Sequence, residues 1–222
     1  MNNSVSNTAR LLGAGLRALL VLTLVTGVLY PLVVTGIAQA LFHDKANGSE
    51  VKADGRVVGS SLIGQAYNLP LKKGQETPAP DLKWFQGRPQ NGLGTNSVNT
   101  QYKLILSGAT NRSGDNEELI QWVKDAKAAV VKDNSTGTYR VKPSQVPADA
   151  VTSSGSGLDP NISPQYADLQ VHRVAEKNGL STAEVQRLVD EHTEGRTLGF
   201  MGEPRVNVLE LNIALRELAA KS

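Results

Sequence analysis

The residues best equipped for chemistry cluster in one stretch, His192-Thr193-Glu194-Gly195-Arg196, followed by Glu203-Pro204-Arg205. His192 could act as a general base, with Glu194 orienting its ring and Arg196 holding an anion. The same residues suit a helix end, with an imidazole beside the last carbonyls and Gly195 closing the turn. Acid/base pairs without a nucleophile or metal are common on surfaces, so the helix end is the preferred reading. A membrane-anchored exterior hydrolase using His192 and Glu194 is the alternative. Other chemistries lack their residues. The three histidines, His43, His172 and His192, have no helical metal-pair spacing, and the absence of cysteine removes thiolate nucleophiles and thiolate metal sites. No Gly-x-Ser-x-Gly elbow occurs. Neither a catalytic residue nor a metal ligand is expected.

Nucleotide motifs are approached and missed. A P-loop needs a lysine after its second glycine to neutralise phosphate, but Gly59 to Gly64 is followed by Gln65-Ala66. Leu106-Ser107-Gly108-Ala109 resembles the start of the LSGGQ signature of ABC-type ATPases and departs from it at Ala109 and Thr110. Ser107, Gly108 and Asn111 are thereby nucleotide-binding candidates, while a Ser-Gly turn after a Tyr102–Leu106 strand is the preferred reading. Asp133-Asn134-Ser135-Thr136-Gly137-Thr138 nearly matches the phosphorylated loop of P-type pumps, but an extra residue displaces the pattern. A phosphoryl acceptor must sit at one defined place, so this too reads as a turn.

The elements that must position these residues begin with a membrane helix. Residues 18–41 are 24 positions without a charged side chain, enough at about 1.5 Å per residue to cross a hydrocarbon core of roughly 30 Å. Ala38-Gln39-Ala40 has the small-x-small form of a processing site, and cleavage after Ala40 would release a ligand-binding protein. The apolar run is longer than a secretory core, which favours an uncleaved anchor. Arg10 and Arg17 precede it; the other 21 cations are matched by 21 acids. That balance excludes the one-sided basic surface of a nucleic-acid binder. Arg17 at the membrane edge and the length of the following domain predict a cytoplasmic tail at 1–17, a transmembrane helix at 18–41 and an extracytoplasmic domain at 42–222. Thr23, Gly27, Pro31 and Thr35 recur every four residues, a stripe suited to packing on other membrane helices.

Beyond the anchor, Asp54-Gly55 predicts a hairpin turn ahead of Val57, Val58, Leu62 and Ile63. Leu69 to Pro80 and Leu82 to Asn99 predict irregular loops. A helix is expected from an Asp115 cap with Glu118 completing a capping box, its apolar face formed by Leu119, Trp122, Val123, Ala126 and Val130. Gly137 to Lys142 predicts a strand, and Pro143 to Ala150 an extended connection. Ser163-Pro164 and Gly179 bracket a helix, Ser181 and Glu184 start another toward His192, and the two should form a hairpin. Asn207 and Glu210 cap a final helix with Leu211, Leu215 and Leu218 on its inner stripe. The fold class predicted is one N-terminal transmembrane helix followed by a small α/β (α+β) soluble domain.

Four stretches carry a resemblance: Gly59-Ser60-Ser61-Leu62-Ile63-Gly64-Gln65, Trp84-Phe85-Gln86-Gly87-Arg88-Pro89, residues 151–160 and residues 192–207. They resemble the C subunit of the Kdp potassium-transporting P-type ATPase, the KdpC family. Departures are local, at Gln90-Asn91, Asn161 and residues 109–114. The resemblance implies a non-catalytic accessory subunit of a high-affinity potassium uptake complex in the bacterial inner membrane. Its implied partners are a potassium-binding channel-like subunit, an ATP-hydrolysing P-type subunit and a small membrane peptide. It also implies a stabilising role, and a chaperone role that raises the ATP affinity of the hydrolysing subunit, with no firmly bound cofactor and ATP reached only through the complex.

Overall fold

Pro31 has no amide hydrogen and its ring crowds the carbonyl one turn back, so the helix carrying it widens just before it. The computed structural model, which describes residues 3–75, 77–90, 94–95 and 105–221, shows α1 (Asn3–Leu24), a π turn (Val25–Leu29) and α2 (Tyr30–Leu41) in unbroken succession. In the π turn the Tyr30 amide donates to the Val25 carbonyl, five residues back. The helix of residues 4–41 reaches a mean hydropathy of 2.2, is unburied within the protein, and is long and apolar enough to cross a membrane. It is longer than residues 18–41, because residues 3–17, expected as a tail, continue it. After it, α3 (His43–Ala46) folds back, and Gln39 and Asn47 exchange amide hydrogen bonds of 3.2 and 3.1 Å.

Residues 51–222 form a second unit. Strands β1 (Glu50–Ala53) and β2 (Arg56–Ser60) pair across Asp54 and Gly55, whose φ values of 50° and 73° are both left-handed, as a two-residue hairpin turn requires. Strands β3 (Gly94–Thr95) and β4 (Ile105–Leu106) pair antiparallel. Residues 91–93 and 96–104, which hold the rest of the second irregular loop and most of the expected Tyr102–Leu106 strand, lie outside the described residues.

Helix α4 (Glu117–Asn134) starts one residue later than expected. Its cap is Asn116, whose Oδ1 accepts from the Leu119 amide at 2.9 Å, while the Asp115 carboxylate is taken by Ser113 Oγ at 2.5 Å. The strand expected over residues 137–142 is absent: the chain closes on itself, with the Thr136 amide donating to Tyr139 O at 2.7 Å. Tyr139 then stacks on His172, ring centroids 3.8 Å apart, and that contact replaces a sheet partner. Within residues 143–150 the expected extended connection coils into two 3-10 turns, Pro143–Gln145 and Ala148–Ala150.

The remaining elements follow their caps. Helix α5 (Pro164–Asn178) begins under the Ser163 hydroxyl and ends at Gly179, φ 69°. Helix α6 (Thr182–Glu191) carries a Ser181–Glu184 capping box and packs on α5. Strands β5 (Asn161–Ile162), β6 (Thr193–Glu194) and β7 (Arg205–Asn207) form an antiparallel sheet in the order β5-β7-β6, with Ile162 and Thr193 both registered on Val206. Helix α7 (Val208–Ala219) follows at once, capped by Asn207 Oδ1. The core gathers Val171 and Val174 of α5, Val185 and Val189 of α6, Leu211 and Leu215 of α7, with Val206 and Phe85. Helices and small sheets around one core make the domain α+β.

Candidate functional site

The chain around Trp84-Phe85-Gln86 has no regular structure, yet it carries a fully buried side chain. Phe85 is fully buried, and burying an extended segment leaves amides and carbonyls that need partners. Two helix side chains supply them. Asn212 of α7 accepts from the Phe85 amide at 2.9 Å and donates to the Phe85 carbonyl at 3.0 Å. Gln170 of α5 accepts from the Gln86 amide at 2.7 Å and donates to the Gln86 carbonyl at 3.1 Å. Each side-chain amide thus does for one residue what a neighbouring strand would do.

Arg173, 1% exposed, completes the arrangement. Its Nε donates to Asn134 Oδ1 at 2.8 Å, Nη1 to the carbonyls of Leu82 and of Trp84, and Nη2 to Gln170 Oε1 at 2.6 Å. Among the described residues no carboxylate lies within ion-pair distance, although Asp133 and Asp81 act on it through space. Burial pulls its pKa down to about 10, and burial pushes the neighbouring Tyr166 up to about 12. One guanidinium therefore joins α4, α5 and the loop over residues 82–84, and its fork geometry is what allows it.

The segment continues outward through Arg88, which donates to the Thr152 and Ser153 carbonyls and to Asp159 Oδ2 at 3.2 Å. The Gly64 amide donates to Leu158 O at 2.8 Å, and a Cβ on Gly64 would stand 2.5 Å from the Asp159 carbonyl. Asn207 Nδ2 donates to Ser61 O at 2.8 Å. The four stretches that carried the family resemblance are thus brought together by these bonds. A cavity of about 360 Å³ opens beside them, lined among others by Gln65, Gln86, Arg88, Asp133, Tyr166 and Arg173. Such a set of spoken-for polar groups can rigidify a surface.

The sequence candidates fare differently. His192 Nδ1 meets the Leu188 carbonyl at 2.8 Å, the helix-end arrangement, while Glu194 accepts from Arg205 at 2.9 Å and Arg196 pairs with Glu203 at 2.7 Å. His192, Glu194 and Arg196 thus each have a different partner. Ser107 Oγ and the Gly108 amide both donate to the Ser156 carbonyl, at 2.9 and 3.0 Å, and Asn111, with φ 51°, turns its side chain to the Ala109 carbonyl. A phosphate there would have to displace these bonds.

In the long helix, the π turn changes the stripe. In an unbroken α-helix Thr23 and Thr35 would drift about 120° apart around the axis, and the residue absorbed by the π turn removes about 100° of that. Thr23 and Thr35 therefore share nearly one face, with Gly27 inside the π turn and Pro31 just beyond it.

Asn212, Gln170 and Arg173 carry no catalytic signature in the sequence, yet their helical phase marks them. Val208, Leu211, Asn212 and Leu215 follow one helical stripe in which Asn212 alone is polar, and Tyr166, Gln170 and Arg173 share the inner face of α5.

Residues 12–217 match the family described as the K+-transporting ATPase, c chain. The chain is 84% identical over 222 residues, all of both chains, to the potassium-transporting ATPase KdpC subunit of Streptomyces avermitilis. It is 77% identical over 220 residues to the protein of that name in Streptomyces coelicolor, covering 99% of this chain and 98% of the relative. With the Mycobacterium tuberculosis KdpC subunit it shares 41% identity over 203 residues, 91% of this chain and 96% of the other.

Proposed function

The chain belongs to the KdpC family of K+-transporting ATPase c chains, and we propose that it serves such a pump as a non-catalytic accessory subunit. The helix of residues 4–41 holds it in the membrane and the domain beyond residue 50 braces the assembly. The observation that carries this reading is the pairing of an unburied apolar helix with a domain whose buried polar side chains serve its own loops. The partners are the potassium-binding channel-like subunit, the ATP-hydrolysing P-type subunit and the small membrane peptide. Thr23, Gly27, Pro31 and Thr35 form the face that packs on their helices.

Arg10 and Arg17 support a cytoplasmic start to the helix in the bacterial inner membrane, and a domain outside the cytoplasm. There it covers or braces the potassium entrance. An exterior domain meets little ATP, and the Ser107 and Gly108 donors already serve Ser156. The rise in ATP affinity that the family implies then passes through the assembled helices, with no nucleotide held by Ser107, Gly108 or Asn111.

The test is isolation of the pump from potassium-starved cells in mild detergent. Stoichiometric recovery of this chain with the other subunits is expected; elution of the chain alone would refute the reading.

A further inference from the structure

Between β6 and β7 the chain leaves the domain and returns, and its outermost residues are apolar. Leu198 is 77% exposed, Phe200 69% and Met201 46%. This tip is built. Thr197 and Met201 exchange both backbone hydrogen bonds, at 2.9 and 3.0 Å, and the Gly199 amide donates to Arg196 O at 3.0 Å. Leu198 and Gly199 both sit in left-handed backbone, at φ 54° and 81°. For glycine that is ordinary; for leucine it is an unfavourable conformation that persists only where the surroundings impose it. Two ion pairs brace the base: Arg196 with Glu203 at 2.7 Å and Arg205 with Glu194 at 2.8 Å. The cluster that looked like an acid/base site is the collar of an apolar tip.

We propose that residues 198–201 insert into an apolar pocket on another chain of the potassium pump. This rests on the accessory-subunit reading, since it needs an assembly to insert into. Three features select the occupant. The collar pairs each cation with an acid and so has no surplus positive charge, whereas elements that dock on anionic membrane surfaces rely on unpaired Lys and Arg. The tip exposes only a few hundred Å², well short of the roughly 1,200 Å² that a stable interface between two copies would bury, so it serves as an anchor within a larger contact. Its apolar side chains stand on a narrow, pre-ordered loop, the form of a residue that fills a pocket and loses little freedom on binding.

The test uses the complete pump in its native membrane, with a photo-crosslinking benzoylphenylalanine in place of Phe200. An adduct to another pump chain is expected. An adduct only to lipid or to a second copy, or no adduct in an intact complex, would overturn the proposal while leaving the accessory-subunit reading standing. Failure of the unmodified chain to co-purify would take down both. Leu198→Asn is the companion variant, because asparagine tolerates left-handed backbone and keeps the loop while removing its apolar contact. Recovery of this variant with the pump in detergent should fall about tenfold, with the unfolding temperature of the detergent-solubilised chain unchanged or raised. Full recovery would overturn the proposal.

Discussion

Asn212 and Phe85 stand 127 residues apart and share two hydrogen bonds, the side-chain amide satisfying both the amide and the carbonyl of the buried residue. Removing the side chain leaves two buried backbone groups without partners, at about 1–3 kcal/mol each. Asn212→Ala should therefore lower the stability of the full chain by about 2–6 kcal/mol. Asn212→Asp should also destabilise, because a carboxylate can accept from the Phe85 amide but cannot donate to its carbonyl. Thermal unfolding in detergent reads both; a loss within a few tenths of a kcal/mol would show that water replaces the side chain.

This relationship also marks how far the sequence could be read. Caps are local, so Ser163, Ser181 and Asn207 announced their helices, and Asp54-Gly55 its hairpin turn. The Asp115 reading missed by one residue because Ser113 competes for that carboxylate. Residues 137–142 have strand-like composition, but Tyr139 found a ring to stack on at His172, a contact no local pattern encodes. The polar hub was least legible. Gln170 and Asn212 have no catalytic look, and their acceptors and donors are backbone groups of a distant loop.

Arg173 gives a second expectation. Arg173→Ala should cost at least about 3 kcal/mol, because Asn134 Oδ1 and the Leu82 and Trp84 carbonyls lose their buried donor, at about 1–3 kcal/mol each. Arg173→Lys should not restore the loss, since one ammonium cannot reach Asn134, Gln170 and two loop carbonyls from a single point. Unfolding curves of the two variants side by side decide it, and rescue by lysine would mean that charge alone matters.

Alkaline pH probes Tyr166. Burial raises its folded pKa to about 12 from the ordinary 10.0, so the folded state keeps a proton that the unfolded state releases. The favourable contribution is complete below pH 10 and is lost as pH climbs toward about 12. Arg173, lowered to about 10, acts with the opposite sign over the same range, so comparison with a variant is needed to isolate the tyrosine. Relative to Tyr166→Phe, the unaltered chain should lose about 2 kcal/mol between pH 10 and 12. Denaturant unfolding at stepped pH measures it, and parallel profiles would contradict the assignment.

The side of the membrane on which the domain stands decides most, because bracing the potassium entrance requires it outside and a direct nucleotide role requires it inside. The chain has no cysteine, so a single Lys73→Cys substitution in the exposed loop places a unique label site. With a membrane-impermeant maleimide, Cys-substituted position 73 should react in intact cells, while a cysteine replacing Asn7 should react only after lysis. Labelling of position 73 solely in lysed cells would put the domain in the cytoplasm and contradict the account.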